Sequence, residues 1–510
     1  MKRLSDNTQY VLFVALCTLW TAVCFVFPDF LDNPWTGFRG FCTISAYTAA
    51  IGGAVFFLLY AVCINKYVCA VVLPIYAATG AAISYSRVAL KATLTPIIID
   101  VTLHTNAEEA LGVLSWQMTI WILCNVAVAI GLVVLRWRKA HPTHKTIQAV
   151  VAFALLLVYY NANGRLHYSI NQRFPFNIYH NLCLYRQLNQ EIDKERSPYP
   201  TAAVDVPDSL DVVFVLGESL RADHLALNGY ERPTTPHLSK ARNVVSLPHI
   251  YSEHTHTNAS VPHILSPANC VNPNNAQEYH SFILSYKQAA FRTAWLSNQD
   301  KGHTFASFIA EADTAIFPNA SKSVFVFDEW IDKDLLTPLD TLRLHATARN
   351  LYILHTIGSH WYYNNHVPSD MQQFQPVTDN RLVTANTQEQ VVNSYDNTAL
   401  YMDWFMQQLI TRFEDRKAII IYLSDHGEAL GEDGHYLHAS GTEAEKKPAC
   451  VVWYSNQYAA LFPDKITALH SNHDKHYRTD FLFYSILSAA GIYATGGEML
   501  DIFAQSEKGQ

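Results

Sequence analysis

The chain has 510 residues, of which 50% are hydrophobic and only 16% are charged. Soluble proteins have about 25% charged residues, so the composition excludes a wholly water-soluble chain and predicts a membrane region beside a soluble one. The formal net charge is −8 and the sequence contains no long basic run. Nucleic acid is therefore not expected as a partner.

Long apolar runs are concentrated in residues 1–162. A bilayer core needs about 20 apolar residues per helix. Five runs are candidate spans, at Tyr10–Phe27, Phe41–Ile64, Tyr67–Val88, Trp116–Leu135 and Ile147–Ala162. We expect them to form a five-helix transmembrane domain over residues 1–162, whose first span is uncleaved because no cleavage-site pattern follows it.

Positive charge predicts the orientation of these helices. If all five cross, then Lys2, Lys66 and the basic cluster between residues 136 and 145 lie on one side. The positive-inside rule makes that side cytoplasmic, so residues 163–510 face outward. This orientation depends on the fifth run, which is short and ends in Asn161.

The remainder of the chain predicts a linker followed by an α/β domain. Residues 163–200 are polar with interleaved aromatics, and indicate either a helix along the membrane surface or a plain linker with one helix. Over residues 201–510, apolar runs alternate with helical stretches, which is typical of a largely parallel sheet. Three continuous apolar runs suit strands covered on both faces, at residues 212–216, 351–354 and 418–423.

Polar residues follow each of these three strands. Glu218 and Ser219 follow the first, the segment 355–360 ends the second with two histidines, and Asp425 and His426 follow the third. Ligands bind at the carboxyl ends of strands in such sheets, and carboxylates and imidazoles are ligands that Zn²⁺ accepts. One such residue alone is usually structural, but three clusters together predict a metal or acid–base site.

Three segments also resemble the signature of a known family. They are Gly217–His224 with Leu227–Arg232, His355–His360, and Ser424–Glu432 closing at His438. They are similar to segments of the phosphoethanolamine transferases that modify lipid A and other surface glycans. The resemblance implies a multi-pass protein of the bacterial inner membrane, with five membrane helices and a periplasmic α/β domain of the alkaline phosphatase and sulfatase type.

The resemblance also points to a nucleophile. In this family it is a threonine three residues before a Ser-Val-Pro triplet, which here is Thr257, before Ser260. A hydroxyl at a helix N-terminus and beside bound Zn²⁺ would have a lowered pKa. Ser219, which is adjacent to Glu218, and Thr255 are the alternative nucleophiles. A further alternative makes Thr257 only a helix N-cap.

Other site residues are implied by the same resemblance. Four would be ligands of the catalytic zinc ion: Glu218, Thr257, Asp425 and His426. Two would bind the donor phosphate or a second zinc ion: His360 and His438. Three resemble contacts to the lipid headgroup: Asn298, Lys301 and Glu109. A plain surface lysine and a solvated loop acid remain the alternatives for the last two.

The chain departs from this family at the nucleophile loop. Relatives that act on lipid A carry a disulfide that brackets the loop, whereas the corresponding positions here look to be Glu253 and His263. The cysteines outside the apolar region are too scattered for a disulfide framework: Cys183, Cys270 and Cys450. We therefore expect apolar side chains to hold the loop, namely Val261, Ile264 and Leu265.

The predicted function is zinc-dependent transfer of phosphoethanolamine by a monomer. The donor would be phosphatidylethanolamine, the intermediate a phosphoethanolamine-threonine, and the acceptor lipid A, lipopolysaccharide or another membrane glycan. Trp361-Tyr362 replaces the Gly-Pro of the family, which leaves the acceptor open. The alternatives are a glycerol-phosphate transferase of the lipoteichoic acid synthase type, a sulfatase, for which the Cys-x-Pro-x-Arg sequence is absent, and an inactive membrane-anchored glycan-binding or sensor protein.

Overall fold

The computed structural model describes residues 5–30, 37–89, 93–96, 98–99, 116–143, 145–161, 164–192, 195–299, 305–320, 329–380, 383–438, 441–497 and 499–505. They form two compact units, one within residues 1–186 and the other within residues 187–320 and 329–510. The break after residue 186 falls inside the predicted linker. The finer division at residues 162 and 200 stays a prediction.

The first part of the chain is helical. Its described helices are α1 (Asp6–Thr21), α2 (Gly37–Cys63), α3 (Lys66–Ala89), α4 (Trp116–Arg138), α5 (Lys145–Asn161), α6 (Gly164–Asn171) and α7 (Phe176–Ile192). Among the described helices, α1 with its continuation to Phe30, α2, α3 and α4 are long and apolar enough to cross a membrane. The predicted fifth span is the 17-residue α5, whose apolar segment Ile147–Val158 is shorter, so length and composition alone establish four.

Basic residues gather at one end of this helical unit. Arg136, near the end of α4, is buried, and its guanidinium donates to the Cys63 carbonyl at 2.8 Å and to the Ile64 carbonyl at 2.6 Å. It thereby satisfies carbonyls that the end of α2 leaves without helical partners. Nearby, the Lys66 ammonium lies 4.3 Å from the centre of the Trp137 ring. Of the cations predicted to share one side, Arg136 and Lys66 thus lie at the same end of the helical unit, whereas Lys2 lies outside the described residues.

The two ends of α1 and its continuation contact different segments of the chain. At its start, Asn7 Oδ1 accepts from the Thr143 amide at 3.0 Å and from Gln148 Nε2 at 3.3 Å. At the far end of its continuation, Asp29 Oδ2 lies 3.4 Å from Arg173 Nε. Between residues 148 and 173, therefore, the chain passes from one end of α1 to the other.

The second unit is built on a central sheet. The described strands are β1 (Thr201–Ala203), β2 (Leu210–Gly217), β3 (Val244–Ser246), β4 (Ile250–Tyr251), β5 (Arg292–Ser297), β6 (Thr314–Ile316), β7 (Arg349–His355), β8 (Ala418–Ser424), β9 (Ala429–Leu430), β10 (Tyr436–Leu437), β11 (Cys450–Tyr454), β12 (Tyr477–Arg478) and β13 (Ile492–Ala494). The seven-stranded sheet has the order β3-β11-β8-β2-β7-β5-β6. Among these described strands, β11 alone runs in the direction opposite to the other six. The prediction of a largely parallel sheet is confirmed.

Helices cover both faces of this sheet. They are α8 (Thr257–Leu265), α9 (Asn275–Glu278), α10 (Phe282–Gln288), α11 (Ala306–Ile309), α12 (Leu336–Leu344), α13 (Gln388–Phe413), α14 (Asn456–Leu461), α15 (Pro463–Asn472) and α16 (Phe481–Ala489). Along β2, Val212 and Phe214 pack into the core formed with α8, α10 and α16. Val213 and Val215 pack into the opposite core with α12 and α13. Because side chains alternate along a strand, covering both faces requires the continuous apolar sequence of β2.

Candidate functional site

The site lies where two neighbouring parallel strands end. Gly217 of β2 pairs with Ser424 of β8, so Glu218 and Asp425 leave the sheet side by side. Asp425 Oδ1 accepts from the Ser219 amide at 3.1 Å and from the His426 amide at 2.9 Å. Glu218, Asp425 and His426 are all buried. The register of the sheet thus brings together the acids and the imidazole that were predicted to share a site.

The His426 imidazole lies at ligand spacing from both acids. His426 Nε2 lies 3.4 Å from Asp425 Oδ2 and 3.5 Å from Glu218 Oε1. Ligands at about 2.0–2.2 Å from a tetrahedral zinc ion are about 3.3–3.6 Å apart. His426 Nδ1 donates to the Gly427 carbonyl at 2.7 Å, which leaves Nε2 as the nitrogen that can bind a metal.

Two of the buried atoms that could bind a metal ion have no hydrogen-bond partner among the described residues. Within the described part of the chain, neither Asp425 Oδ2 nor His426 Nε2 has a hydrogen-bond partner. A buried polar atom without a partner costs about 1–3 kcal/mol, and more when the group is charged. The two atoms face each other across 3.4 Å. A divalent cation held between them would satisfy both.

The electrostatics of the site also suits a cation. Burial and the Glu218 carboxylate raise the pKa of Asp425 to about 7. Burial raises the pKa of Glu218 too, but the imidazoles of His426, His360 and His438 outweigh it and bring that pKa below its usual range. Two carboxylates buried side by side repel each other when both are ionised. A bound cation would let both ionise.

Thr257 brings a hydroxyl to this cluster. It is the first residue of α8, is half-buried, and its Oγ1 donates to Glu218 Oε2 at 3.0 Å. The N-cap of α8 is His256, whose Nδ1 accepts from the Ala259 amide at 3.3 Å. The alternative that Thr257 is only an N-cap is therefore wrong. At the first turn of a helix, negative charge on the threonine oxygen is favoured by the helix dipole.

The alternative nucleophiles have different surroundings. Ser219 is fully buried, and its Oγ donates to Glu218 Oε1 at 2.8 Å. Its carbonyl accepts from the Tyr395 hydroxyl at 2.6 Å, which fixes the backbone at φ 57°. A hydroxyl without exposed surface is poorly placed to reach a lipid phosphate. Thr255 lies in the bend before α8, two residues from Thr257.

Two further predicted histidines adjoin the cluster. The rings of His438 and His426 are 4.9 Å apart, and those of His438 and His360 are 5.9 Å apart. Glu218, His426 and His438 offer ligand atoms that all lie within 4.8 Å of one another. His360 Nδ1 donates to the Trp361 carbonyl at 2.6 Å, so its Nε2 is the nitrogen left for a ligand.

Glu428 sets the charge of His438. Its carboxylate lies 2.9 Å from His438 Nδ1 and accepts from the Tyr363 hydroxyl at 2.9 Å. Burial lowers the pKa of His438, but Glu428, with Glu218 and Asp425, raises it to about 9. The raised pKa favours the positively charged form of the His438 imidazole, which would attract a phosphate group.

Asn298, predicted to contact the headgroup, is engaged inside the protein. It is buried, and its Nδ2 donates to Asp332 Oδ1 at 2.9 Å. Its Oδ1 accepts from Trp330 Nε1 at 2.9 Å and from Asn319 Nδ2 at 2.6 Å. The headgroup contact stays a prediction for this residue. Lys301 and Glu109 lie outside the described residues.

Gln299 is a site residue that the sequence reasoning missed. Its Nε2 donates to Glu218 Oε2 at 2.9 Å. The signal that could have found it is the polar pair Asn298-Gln299 directly after β5, a fourth strand with a polar end. Strand β5 pairs with β7, and β7 pairs with β2, which places this end beside the other three.

The nucleophile loop is held by packing, as predicted. Three apolar side chains of α8 are fully buried in the core beneath the sheet: Val261, Ile264 and Leu265. At the positions predicted to replace a disulfide, Glu253 pairs with Arg478 at 2.6 Å and His263 faces His254. His254 Nε2 lies 3.3 Å from His263 Nδ1, and the rings meet edge to face at 4.4 Å.

Comparisons with known proteins find a match for each of the two units. A phosphoethanolamine transferase EptA/EptB family model matches residues 53–168, and a sulfatase family model matches residues 211–492. EptA of Helicobacter pylori (strain ATCC 700392 / 26695) is 31% identical over 367 residues, 69% of this chain and 68% of the relative. EptA of Escherichia coli (strain K12) is 31% identical over 293 residues, 55% of this chain. The match spans about half of that relative, 53% of its length.

A solved structure shares the fold of the second unit. The soluble domain of lipooligosaccharide phosphoethanolamine transferase A from Neisseria meningitidis superposes with a TM-score of 0.54 and 27% identity, covering 60% of this chain and 97% of that domain. The sulfatase model alone covers more than half of the chain. Together with the H. pylori relative, these matches show that the chain belongs to the phosphoethanolamine transferase family and carries a sulfatase-type α/β domain.

Proposed function

We propose that this protein transfers phosphoethanolamine from phosphatidylethanolamine to a membrane glycolipid, with Thr257 as the nucleophile. The observation that carries the proposal is the buried cluster of Glu218, Asp425 and His426, in which Glu218 accepts a hydrogen bond from the Thr257 hydroxyl. The N. meningitidis relative is named for lipooligosaccharide. We extend that acceptor class, which includes lipid A, to this chain.

The residues present suit a zinc ion. Glu218, Asp425 and His426 would hold it, with the Thr257 oxygen as the fourth ligand, and this set of oxygen and nitrogen donors is one that zinc accepts. A bound zinc ion would lower the pKa of the threonine hydroxyl and attract the phosphate oxygens. His360 and His438 remain available for the donor phosphate or for a second ion.

The reaction would run in two displacement steps. In the first, the Thr257 oxygen bonds to phosphorus, the bond from phosphorus to the diacylglycerol oxygen breaks, and diacylglycerol leaves with a proton. Glu218 Oε2, which accepts a hydrogen bond from the Thr257 hydroxyl at 3.0 Å, orients the threonine oxygen. In the second step, an acceptor oxygen bonds to phosphorus, the bond from phosphorus to the Thr257 oxygen breaks, and the proton of the acceptor hydroxyl returns to Thr257. His438, whose ring centre lies 4.9 Å from that of His426, would contact the phosphate in both steps.

The same proposal assigns the membrane topology. The chain is a membrane protein by its four long apolar helices, and we propose a fifth crossing by α5. The passage of the chain between residues 148 and 173 from one end of α1 to the other supports it. With the Arg136 end cytoplasmic, the sulfatase-type domain faces the periplasm from the inner membrane, on the side where surface glycolipids are modified.

The covalent intermediate offers the direct test. Purified protein is incubated with phosphatidylethanolamine, digested, and fragmented in a mass spectrometer. We expect one added phosphoethanolamine on Thr257, its loss in Thr257→Ala together with a fall in transfer of about 10³-fold or more, and an unchanged adduct in the matched control Thr255→Ala. An adduct on Ser219 would overturn the assignment, and no adduct on any residue would overturn the two-step reaction.

A further inference from the structure

We infer that Gln299 is a positioning residue that holds the Glu218 carboxylate in the orientation that the proposed metal site requires. The inference rests on the proposed function, because it concerns the residue we assign as a metal ligand. Gln299 is buried, and lies two residues beyond the end of β5. Its side chain would not touch the ion or the substrate, and acts through Glu218.

Both N–H groups of the Gln299 amide are used. Nε2 donates to Glu218 Oε2 at 2.9 Å and to the Thr356 carbonyl at 2.8 Å. Each partner can only accept, so the nitrogen of the amide is the atom that faces them. Thr356 is itself fixed to β2, since its amide donates to the Leu216 carbonyl at 3.0 Å. The amide of Gln299 is therefore anchored on the sheet and cannot turn away from Glu218 without losing a bond.

The backbone of Gln299 is fixed as well. Its amide donates to Ser297 Oγ at 3.1 Å, and the Ser297 hydroxyl donates to the Gln299 carbonyl at 3.3 Å. The preceding residue Asn298 donates its amide to the His355 carbonyl at 2.7 Å, which ties the segment to the end of β7. A side chain on such a rigid segment can define the position of its partner closely.

The two oxygens of Glu218 have separate roles in this arrangement. Oε1 accepts from Ser219 Oγ at 2.8 Å and faces His426 Nε2 at 3.5 Å. Oε2 accepts from Thr257 at 3.0 Å and from Gln299 at 2.9 Å. Holding Oε2 away from His426 keeps Oε1 toward the proposed ion. Hydrogen-bonded partners of metal ligands commonly contribute 10–100-fold to metal affinity.

The role of Gln299 would increase during the reaction. Once Thr257 carries phosphoethanolamine, its hydroxyl proton is gone and it no longer donates to Glu218. Of the two hydrogen bonds that Oε2 receives from the described residues, the one from Gln299 then remains. Gln299 would keep the carboxylate in place between the first displacement and the second.

The test measures metal binding by the full-length protein, independently of transfer. Gln299→Met keeps the length of the side chain but removes the N–H donors, and Gln299→Asn keeps an amide that is too short to reach Glu218. We expect both to weaken Zn²⁺ binding, measured by chelator competition, by about 10–100-fold. We also expect both to change the visible absorption of bound Co²⁺, which reports the geometry of the ligands.

The matched control is Asn472→Leu. Asn472 is a buried amide whose Nδ2 also donates to two carbonyls, those of Ile502 at 3.0 Å and Ala504 at 2.9 Å. The Asn472→Leu variant should lower the thermal midpoint of the metal-free protein about as much as the Gln299 variants do. It should leave the Zn²⁺ affinity and the Co²⁺ spectrum unchanged. Unchanged affinity and spectrum in both Gln299 variants would overturn the inference, whereas absence of Zn²⁺ binding by the unaltered protein would overturn the proposed function.

Discussion

At the scale of single residues, the contact between His254 and His263 joins the segment before α8 to α8 itself. A neutral imidazole has one nitrogen that donates and one that accepts, so two neutral rings can share a hydrogen bond. Burial and the neighbouring His256 lower the pKa of His254. Burial and His254 lower the pKa of His263 to about 4. The folded state therefore favours the neutral pair, and protonation of both rings would break the bond.

These pKa values predict acid-sensitive stability. An ordinary histidine pKa is about 6.5, so between about pH 6.5 and 4 the unfolded chain binds more protons at His263 than the folded chain. The stabilisation is present above pH 6.5 and is lost as the pH falls toward 4. It amounts to about 1–2 kcal/mol, a value already reduced for the partial solvent exposure of the pair.

The measurement is the thermal midpoint of the full-length protein at pH 7.5 and at pH 5. We expect the midpoint of the unaltered protein to fall further than that of His263→Phe, which keeps an aromatic ring but cannot titrate. His473→Phe, at an exposed histidine, is the control and should behave as the unaltered protein. Equal falls for His263→Phe and the unaltered protein would refute the effect.

At the scale of elements, α8 carries the proposed nucleophile and is fixed by its apolar face. Its N-terminus presents Thr257 to Glu218, while residues on its other side are buried against α10, α16 and the sheet. The nine cysteines of the chain are free thiols in the structure. Burial, rather than a covalent cross-link, then determines where Thr257 lies.

This arrangement predicts different responses to a core mutation and to a reductant. Ile264→Ala should destabilise the second unit by about 2–4 kcal/mol, because it leaves a cavity at a fully buried position. Val271→Ala, at a side chain that is 85% exposed, is the control. Dithiothreitol should leave the denaturation midpoint of the unaltered protein where it is. A midpoint that falls by several degrees in dithiothreitol would show that two cysteines pair.

At the scale of the whole molecule, the proposed orientation depends on whether α5 crosses the membrane. An odd number of crossings places the two termini on opposite sides, and an even number places them on the same side. Arg136, Lys66 and the other cations at the α4 end favour a cytoplasmic location for that end. The sulfatase-type domain follows α5 and takes its side from it.

Fusion of a reporter to the C-terminus tests this topology. With five crossings, alkaline phosphatase fused after Gln510 should be active and a green fluorescent protein fused at the same place should be dark, because each reporter works on one side of the membrane only. A fluorescent protein fused at the N-terminus is the control and should be bright. The reverse pattern at the C-terminus would show that α5 does not cross.

The sequence alone determined part of the secondary structure of this protein. Apolar runs predicted α1 to α4 and the strands β2, β7 and β8, because hydrophobic pattern is a local property that folding must bury. The polar residues after those strands predicted the site, since parallel strands end at one edge. Local pattern also located Glu218, Asp425 and His426, and the structure places the His426 imidazole within 3.5 Å of both carboxylates.

Only the tertiary structure decided which polar groups meet. The order of strands in the sheet is long-range, and it places Gln299 rather than Asn298 on Glu218. The burial of Ser219 likewise depends on packing between segments that are far apart in the chain. The contact between His254 and His263 depends on the turn that brings the segment before α8 back against α8. Hydrogen bonds require positions accurate to a few tenths of an ångström, which only the assembled sheet and its helices define.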